Sequence, residues 1–281
     1  HSYSSPLKPG IKCIGFNGTN YSLEGYLQNS IQGFNVANWT WRFGNGTTVQ
    51  GQNATVANVV YPVTLCITDN CGLTSFVTIN QAGQATDIFT NTILSADQEF
   101  LGDLIVHSGA QLTVTGTLGF QQGFGVIVER NARIVLTDGG VLTRGCNTPH
   151  WDGVNVLGNS SLTQPATNAP LLNPNQSGIV FMDDGQIEWA LTGISTGGGY
   201  SSAFWGGVVD ASNSRFVNNR KAVEFMQYTQ STNISQFVNV EFWEMADQWG
   251  SAFNNTEGVS IWETNGIEFK HCTFRNFDRH G

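Results

Sequence analysis

The sequence predicts an all-β protein of 281 residues, in which an antiparallel β-sandwich precedes a parallel β-helix solenoid. Apolar and polar residues alternate with a period near two, which is typical of strands and not of helices. Glycine is abundant, with 33 residues, and suits tight turns between short strands. Beyond about residue 88, strand-like segments also recur every 20 to 30 residues or so, as expected when short strands build a solenoid.

The composition excludes several classes of protein. Charged residues make up 12% of the chain, where about 25% is usual. The net charge of −9 argues against a nucleic-acid-binding surface, because such a surface needs clustered Lys and Arg. No apolar run reaches the roughly 18 residues of a membrane helix. Because the chain starts at His1 without a Met and stops just after a strand-like run, we expect a fragment of a longer protein.

Residues 1–83 are predicted to form the sandwich. Six strand-like segments lie here, separated by turn residues such as Asn45-Gly46, and this pattern favours antiparallel pairing. Alternation places Val63, Leu65 and Ile67 on the inner face. Either Trp39 or Trp41 is large enough to fill the centre of the core.

Two segments of this region resemble the PKD family of Ig-like domains. WTWRFGNG, which ends at Gly46, is similar to the family's W-x-F-G-D-G signature, with Asn45 where Asp is usual. YPVTLCITDNCG, residues 61–72, is similar to its Y-x-V-x-L-x-V-x-D-x-x-G hairpin. The resemblance implies an Ig-like, PKD-type sandwich.

The same resemblance bears on the cysteines. Related Ig-like modules of secreted Bacteroidota proteins often pair an early cysteine with one just past the last hairpin turn, which favours a disulfide between Cys13 and Cys71. A bond between Cys66 and Cys71, on one hairpin, is the alternative, and three free thiols are another. A disulfide would require an oxidising compartment.

Residues 84–281 are predicted to form the parallel β-helix. Leu112 is followed by Ile134, and Val114 by Leu136, each 22 residues later, so these pairs should stack between adjacent rungs. Further on, Gly153 aligns with Gly178, and GIVFMDDG aligns with GVVDASNS at an offset of 29. The segment NSSLTQPATNAPLLNPNQ between Gly153 and Gly178 is predicted to be a loop that leaves the solenoid. Three phenylalanines in equivalent positions should form an internal aromatic stack: Phe216, Phe242 and Phe274.

This half resembles the right-handed β-helix region of large secreted Bacteroidota surface proteins. In those proteins a cysteine precedes a W-x-G-I-x-V-x-G strand, and later rungs carry an N-C-T-F element. Here Cys146 precedes Trp151-Asp152-Gly153, and HCTF contains Cys272. The resemblance implies an extracellular or cell-surface location and export by type IX secretion, although the sorting domain of such cargo is absent.

Because β-helices also carry polysaccharide lyases and hydrolases, paired carboxylates near a basic residue would indicate an active site. The candidates are Asp183, Asp184, Glu188, Asp210, Arg215, Arg220 and Lys221. The 29-residue offset places Ser212 above Asp183, and Asp210 above Phe181, so these carboxylates do not stack in register. We therefore predict no catalytic residue, no metal site and no cofactor.

The expected function is a non-enzymatic structural or adhesive surface protein: a stalk, a filament subunit or a glycan-binding module. Its partners would be neighbouring modules or subunits, or a polysaccharide, and neither nucleic acid nor a membrane span is expected. Four tryptophans would stack on sugar rings if they line one outer face, and otherwise fill the core or an inter-module surface: Trp205, Trp243, Trp249 and Trp262. The alternative is a polysaccharide-degrading enzyme, which requires a cleft lined by two or more carboxylates and an Arg or Lys.

Overall fold

The structure is a computed structural model that describes residues 4–16, 20–79, 83–145, 148–245 and 256–277. Within these ranges the chain forms strands and one short 3₁₀ helix, Ser202–Phe204. The protein is therefore all-β, as predicted.

The first seven strands form two antiparallel sheets. Their bounds are β1 (Pro9–Phe16), β2 (Tyr21–Leu27), β3 (Val36–Phe43), β4 (Thr48–Gln50), β5 (Asn53–Val56), β6 (Val63–Asp69) and β7 (Thr74–Ile79). One sheet has the order β1-β2-β5 and the other the order β4-β3-β6-β7. Antiparallel pairing in this region was predicted from the turn residues.

Both antiparallel sheets contribute to one hydrophobic core. Ile14 and Leu23 come from the three-stranded sheet, and Val63 and Leu65 from the four-stranded sheet. Trp41 is fully buried at the centre of this core, where its indole N–H donates to the carbonyl oxygen of Gly51 at 3.0 Å. Of the two tryptophans proposed from the sequence, it is thus Trp41 that fills the core.

The cysteines of this region are not bonded as expected. Cys66 and Cys71 are free thiols, so the structure contains neither the predicted Cys13–Cys71 disulfide nor the Cys66–Cys71 alternative. Cys66 lies within β6, and Cys71 lies in the turn beyond it. Of Cys13 only the backbone is described, and it lies opposite Glu24.

The remaining strands stack in three parallel sheets of seven strands each. The first sheet contains β8 (Thr86–Ile88), β11 (Leu104–Val106), β14 (Gly125–Val128), β17 (Trp151–Val156), β20 (Ala190–Ser195), β23 (Lys221–Phe225) and β26 (Glu257–Ile261). The second contains β9 (Thr92–Leu94), β12 (Gln111–Val114), β15 (Arg133–Thr137), β18 (Ile179–Asp183), β21 (Val208–Ser212), β24 (Gln236–Val238) and β27 (Glu268–Lys270). The third contains β10 (Gln98–Phe100), β13 (Thr117–Phe120), β16 (Val141–Arg144), β19 (Gln186–Glu188), β22 (Arg215–Val217), β25 (Glu241–Trp243) and β28 (Thr273–Arg275).

Three consecutive strands, one from each sheet, make one rung, and seven rungs stack in sequence order. This is the arrangement expected of a parallel β-helix. The inward side chains of all three sheets join in one continuous hydrophobic core. No helix in the described part of the chain has the length and apolarity needed to span a membrane.

The register follows the predicted offsets in most places. Leu112 pairs with Ile134 and Val114 with Leu136, as the 22-residue offset requires. The 29-residue offset is also confirmed, since β18 and β21 pair from Ile179 with Val208 to Asp183 with Ser212. Phe242 stacks between Phe216 and Phe274, with ring centroids 5.1 and 4.5 Å away, which confirms the aromatic stack.

The alignment of Gly153 with Gly178 was wrong. Gly153 lies in β17 of the first sheet, where it pairs with Gly125 and Thr192. Gly178 directly precedes β18 in the second sheet. The two glycines therefore belong to the same rung, and the similarity of their flanking sequences reflects the strand pattern that all three sheets share.

The turn between the second and third sheets recurs in five rungs. Its first residue has a positive φ in each: Asp138, Asp184, Asn213, Asn239 and His271. Asn and Asp tolerate this left-handed conformation better than most residues. The side chains also connect rungs, because the Asn239 amide donates to Oδ1 of Asn213 at 2.8 Å.

Residues 159–176 form a long connection between β17 and β18, which we call the strap. It leaves the solenoid body as predicted and then contacts distant rungs. Arg133 in the third rung donates to the carbonyl oxygen of Ala169 at 2.7 Å. The hydroxyl of Tyr228, which follows the first strand of the sixth rung, donates to the carbonyl oxygen of Leu162 at 2.6 Å.

Candidate functional site

A groove with a volume of about 450 Å³ lies on the outer face of the first sheet. It spans β14, β17 and β20 and reaches β23. Its polar and charged lining consists of Asp103, Asp152, Asn155, Thr192, Ser195, Tyr200 and Glu224. A concave surface with several convergent polar groups is the usual form of a ligand site.

Two stacked glycines, Gly125 and Gly153, form part of the groove floor. Gly153 has a φ of +101°, and a Cβ at this position would overlap the carbonyl oxygen of Thr192 in the next rung. A Cβ at Gly125 would likewise overlap the carbonyl oxygen of Gly153. Only glycine therefore fits at these two positions, because the backbone of the next rung occupies the space that a Cβ would need.

A column of outward side chains runs across the floor. Ile127, Asn155, Ser195 and Glu224 occupy the same register position in four successive rungs. The column changes from apolar to polar to acidic along the solenoid axis. A ligand that lies along the groove would therefore meet a different chemical group at each rung, about 4.8 Å apart.

One wall of the groove is the connection between β20 and β21, which carries Tyr200. The Asn155 amide donates to the carbonyl oxygen of Gly198 at 2.6 Å, and the backbone N–H of Gly198 donates to Oγ of Ser195 at 3.0 Å. These bonds attach the wall to the floor. The Tyr200 side chain is 38% exposed, so part of its ring is accessible to a ligand.

Arg130 also contacts the connection between β20 and β21. Its guanidinium lies over the ring of Phe204 at 4.4 Å, and its Nε donates to the carbonyl oxygen of Gly158 at 2.6 Å. A second guanidinium nitrogen donates to the carbonyl oxygen of Ala203. The wall that carries Tyr200 is thus held in place by charge-assisted hydrogen bonds.

The groove also carries two aspartates, Asp103 and Asp152. Burial raises the pKa of Asp152, a backbone hydrogen bond from Gly123 opposes this, and the nearby Asp103 carboxylate raises the pKa further. Asp103 itself accepts a hydrogen bond from the backbone N–H of Gly125 at 2.9 Å. Burial also raises the pKa of the Tyr200 hydroxyl, with a further contribution from Asp103.

The basic groups near the groove are already engaged or uncharged. Lys221 lies 2.5 Å from Oε1 of Glu224 and 3.5 Å from Oε2 of Glu257, so two carboxylates share its ammonium. His150 is buried, and this burial lowers its pKa, although Asp152 acts in the opposite direction. A neutral imidazole at neutral pH leaves the carboxylates of Asp103 and Asp152 without a full positive charge from that side.

The tryptophans proposed for glycan stacking do not line one face. Trp205 lies in the connection that follows the short 3₁₀ helix, whereas Trp243 lies in β25 of the third sheet. Trp262 is 56% exposed and donates to Oε1 of Glu224 at 3.3 Å, so it lies next to the groove but does not line it. Trp249 is outside the described residues.

The carboxylates considered for catalysis are dispersed over the solenoid. Asp183 and Asp210 lie in the second sheet, where Asp183 accepts a hydrogen bond from Ser212 at 2.9 Å, and Asp210 one from Thr167 at 2.6 Å. Glu188 lies in the third sheet and accepts from Thr143 at 2.8 Å. Lys221 alone of this set belongs to the first sheet, so these residues do not form one site.

The sequence did not identify the groove residues as a site. Tyr200 lies in the glycine-rich segment TGGGYSS, in the connection between β20 and β21, and no role was predicted for it. A single aromatic residue within a glycine-rich connection was the signal available. Within the described ranges, no three His, Cys, Asp or Glu side chains are placed to hold a metal ion together.

Comparison of the chain with protein-family models, with curated proteins and with solved structures finds no match. The function is therefore inferred from the geometry of the groove.

Proposed function

We propose that this protein is a non-enzymatic extracellular surface protein whose groove binds a polysaccharide. The accessible ring of Tyr200 beside Asn155 and Ser195 is the observation that carries the proposal. Sugar rings pack on aromatic faces and hydrogen-bond to amides and hydroxyls, so this combination suits a carbohydrate.

The proposal includes the location and domain type expected from the sequence. The N-terminal region would be an Ig-like, PKD-type sandwich, and the chain would belong to a secreted Bacteroidota surface protein exported by type IX secretion. The WTWRFGNG and YPVTLCITDNCG segments support this, together with a core that both antiparallel sheets share around Trp41. Stacked parallel strands would serve as a stiff stalk that displays the groove.

Binding of purified protein to a panel of neutral and charged polysaccharides, by affinity electrophoresis, tests the proposal. Tyr200→Ala should weaken retention about tenfold, since aromatic contacts supply a large part of such affinities. Phe76→Ala is the matched control, because Phe76 is 70% exposed but lies on β7, outside the groove. If no polysaccharide is retained, or if both variants bind like the parent, the groove is not a glycan site.

A second candidate function, a polysaccharide-degrading enzyme, is favoured by one observation. Asp103 and Asp152 line the same groove, and the raised pKa of Asp152 is typical of a general acid. Release of reducing ends or unsaturated products from the same panel would support this function. Asp152→Asn should then abolish product release, whereas a binding protein would release none in either form.

A further inference from the structure

The charges around the groove indicate which kind of polysaccharide it accepts. We propose that the ligand is a polysaccharide with free amino groups, such as one built from glucosamine, and that the groove carboxylates bind its ammonium groups. This inference rests on the proposed function and names the ligand class of the same site.

The charged side chains that line the groove are all acidic. Asp103 and Asp152 line the groove, and Glu224 lines it at the other end of the outward column. Lys221 is outside the lining and is bound to Glu224 and Glu257, so its ammonium is not available to an anionic ligand. An anionic sugar would place its carboxylate near these like charges, which is unfavourable in a partly desolvated cleft.

A neutral sugar would leave the carboxylates of the groove without a cationic group to bind. The Asp152 carboxylate faces the groove with one backbone hydrogen bond, from Gly123, and with His150 and Asp103 as its charged or titratable neighbours. An ammonium group placed between Asp103 and Asp152 would neutralise two carboxylates that otherwise repel each other. Such a contact is a charge-assisted hydrogen bond, and these are stronger than neutral ones.

The polar and acidic side chains of the groove also follow an order along the solenoid axis. Asp103 lies at one end of the groove, just before β11, and Glu224 lies at the other end. Asn155 and Ser195 lie between them, and Asp152 belongs to the same strand as Asn155. Hydroxyl groups of the sugar would contact the central polar residues. Amino groups would contact Asp103 and Asp152, because Glu224 is already paired with Lys221. Tyr200 in the wall would pack on a ring between them.

The test compares three oligosaccharides of equal length by isothermal titration calorimetry in mildly acidic, low-salt buffer: the hexamers of glucosamine, N-acetylglucosamine and galacturonic acid. The glucosamine hexamer should bind about tenfold more tightly than its neutral N-acetylated counterpart, with the galacturonate weakest. Asp152→Asn should reduce this preference to about threefold. Asp183→Asn is the matched control, because it removes a carboxylate of the second sheet, outside the groove.

Salt provides an independent readout. The preference for the glucosamine hexamer is electrostatic, and the carboxylates behind it are partly exposed. Raising the ionic strength should therefore shrink the preference, while the affinity for the neutral hexamer stays almost constant. A preference for glucosamine that is insensitive to salt, or equal in Asp152→Asn and the parent, would overturn the inference.

The outcomes separate this inference from the proposed function. Equal affinity for the two amino-sugar hexamers, or tighter binding of galacturonate with or without Ca²⁺, overturns the ligand class but leaves a glycan-binding groove. If none of the three hexamers binds, the inference is wrong, and the wider polysaccharide panel decides the proposed function separately.

Discussion

The two regions of this molecule build their cores in different ways. In residues 4–79, antiparallel strands distant in sequence meet around one large side chain, Trp41. In residues 86–277, each strand stacks on a strand one rung earlier, and like side chains often meet like, as Phe242 meets Phe216. The antiparallel core therefore depends on a few unique residues, whereas the solenoid core depends on positions that recur.

The difference has an energetic consequence. A solenoid is stabilised mainly by contacts between neighbouring rungs, so damage should stay local. A small antiparallel core has no repeated neighbours to compensate for a lost side chain. Substitutions of comparable size should therefore act on a whole region in one case and on two or three rungs in the other.

The largest effect is expected for Trp41→Ala. It removes a fully buried indole and the hydrogen bond to Gly51, so we expect a loss of about 4–5 kcal/mol from the antiparallel region. Limited proteolysis should cut residues 4–79 while residues 86–277 remain protected. Equal loss of protection in both regions would contradict the comparison.

Phe242→Ala should cost slightly less, about 3–4 kcal/mol, because the Phe216 and Phe274 rings can partly close the space between them. Hydrogen exchange should rise in β22, β25 and β28 and remain slow in the first three rungs. Phe242→Leu is the control, with a cost of about 1 kcal/mol, since it keeps most of the apolar volume. Uniform exchange along the solenoid would show that its rungs do not unfold locally.

Asn219→Asp tests a buried polar contact between rungs. The Asn219 amide accepts from the backbone N–H of Ala190 and donates to the carbonyl oxygen of Ile187, both at 2.9 Å. A carboxylate cannot donate, so we expect a loss of about 2–3 kcal/mol at neutral pH. Protonation restores a donor, so chemical denaturation should find the variant recovering stability as the pH falls.

Asn45→Asp is the matched control in the antiparallel region. The Asn45 side chain is exposed, and its Oδ1 accepts from the N–H and hydroxyl of Thr47, at 3.1 and 2.8 Å. A carboxylate preserves both bonds, so the stability should hardly change. A loss equal to that of Asn219→Asp would show that burial is not the cause.

The smallest effect is expected for His107→Gln. The hydrogen bond to Asp87 at 2.7 Å raises the pKa of His107 above its ordinary value of 6.5, burial opposes this, and Glu129 adds to it. Stability from this raised pKa is complete below 6.5 and is lost as the pH rises through the folded-state pKa. Exchange of the first-rung amides should accelerate over that interval in the parent and show no such step in His107→Gln.

The solenoid was the more predictable region because the repeat in its sequence determines which residues pair between neighbouring rungs. The offsets of 22 and 29 residues gave correct partners for Leu112 and for Asp183. The error at Gly153 and Gly178 arose because strands of one rung resemble each other as closely as strands of neighbouring rungs do. In the antiparallel region, alternation identified Val63 and Leu65 as core residues but could not give their partners in other strands.

The groove was not predicted, for a different reason. Its residues come from strands and connections of several rungs, and each is ordinary in its local sequence: an Asp before a strand, an Asn within one, a Tyr in a glycine-rich loop. Only the stacking of rungs brings Asp103, Asp152 and Tyr200 into one groove. Their large aromatic rings made the tryptophans candidates for stacking on sugars, yet Trp243 lies in the third sheet, away from the groove.

The strap, residues 159–176, bears on the order in which the chain can fold. Growth of the stack from the first rung would need only contacts about one rung apart along the chain. The hydrogen bond from Tyr228 to Leu162 in the strap instead joins residues that are 66 positions apart in the chain. It can form only once Tyr228 is in place. We therefore expect this end of the strap to dock late in folding, after the sixth rung has begun to form.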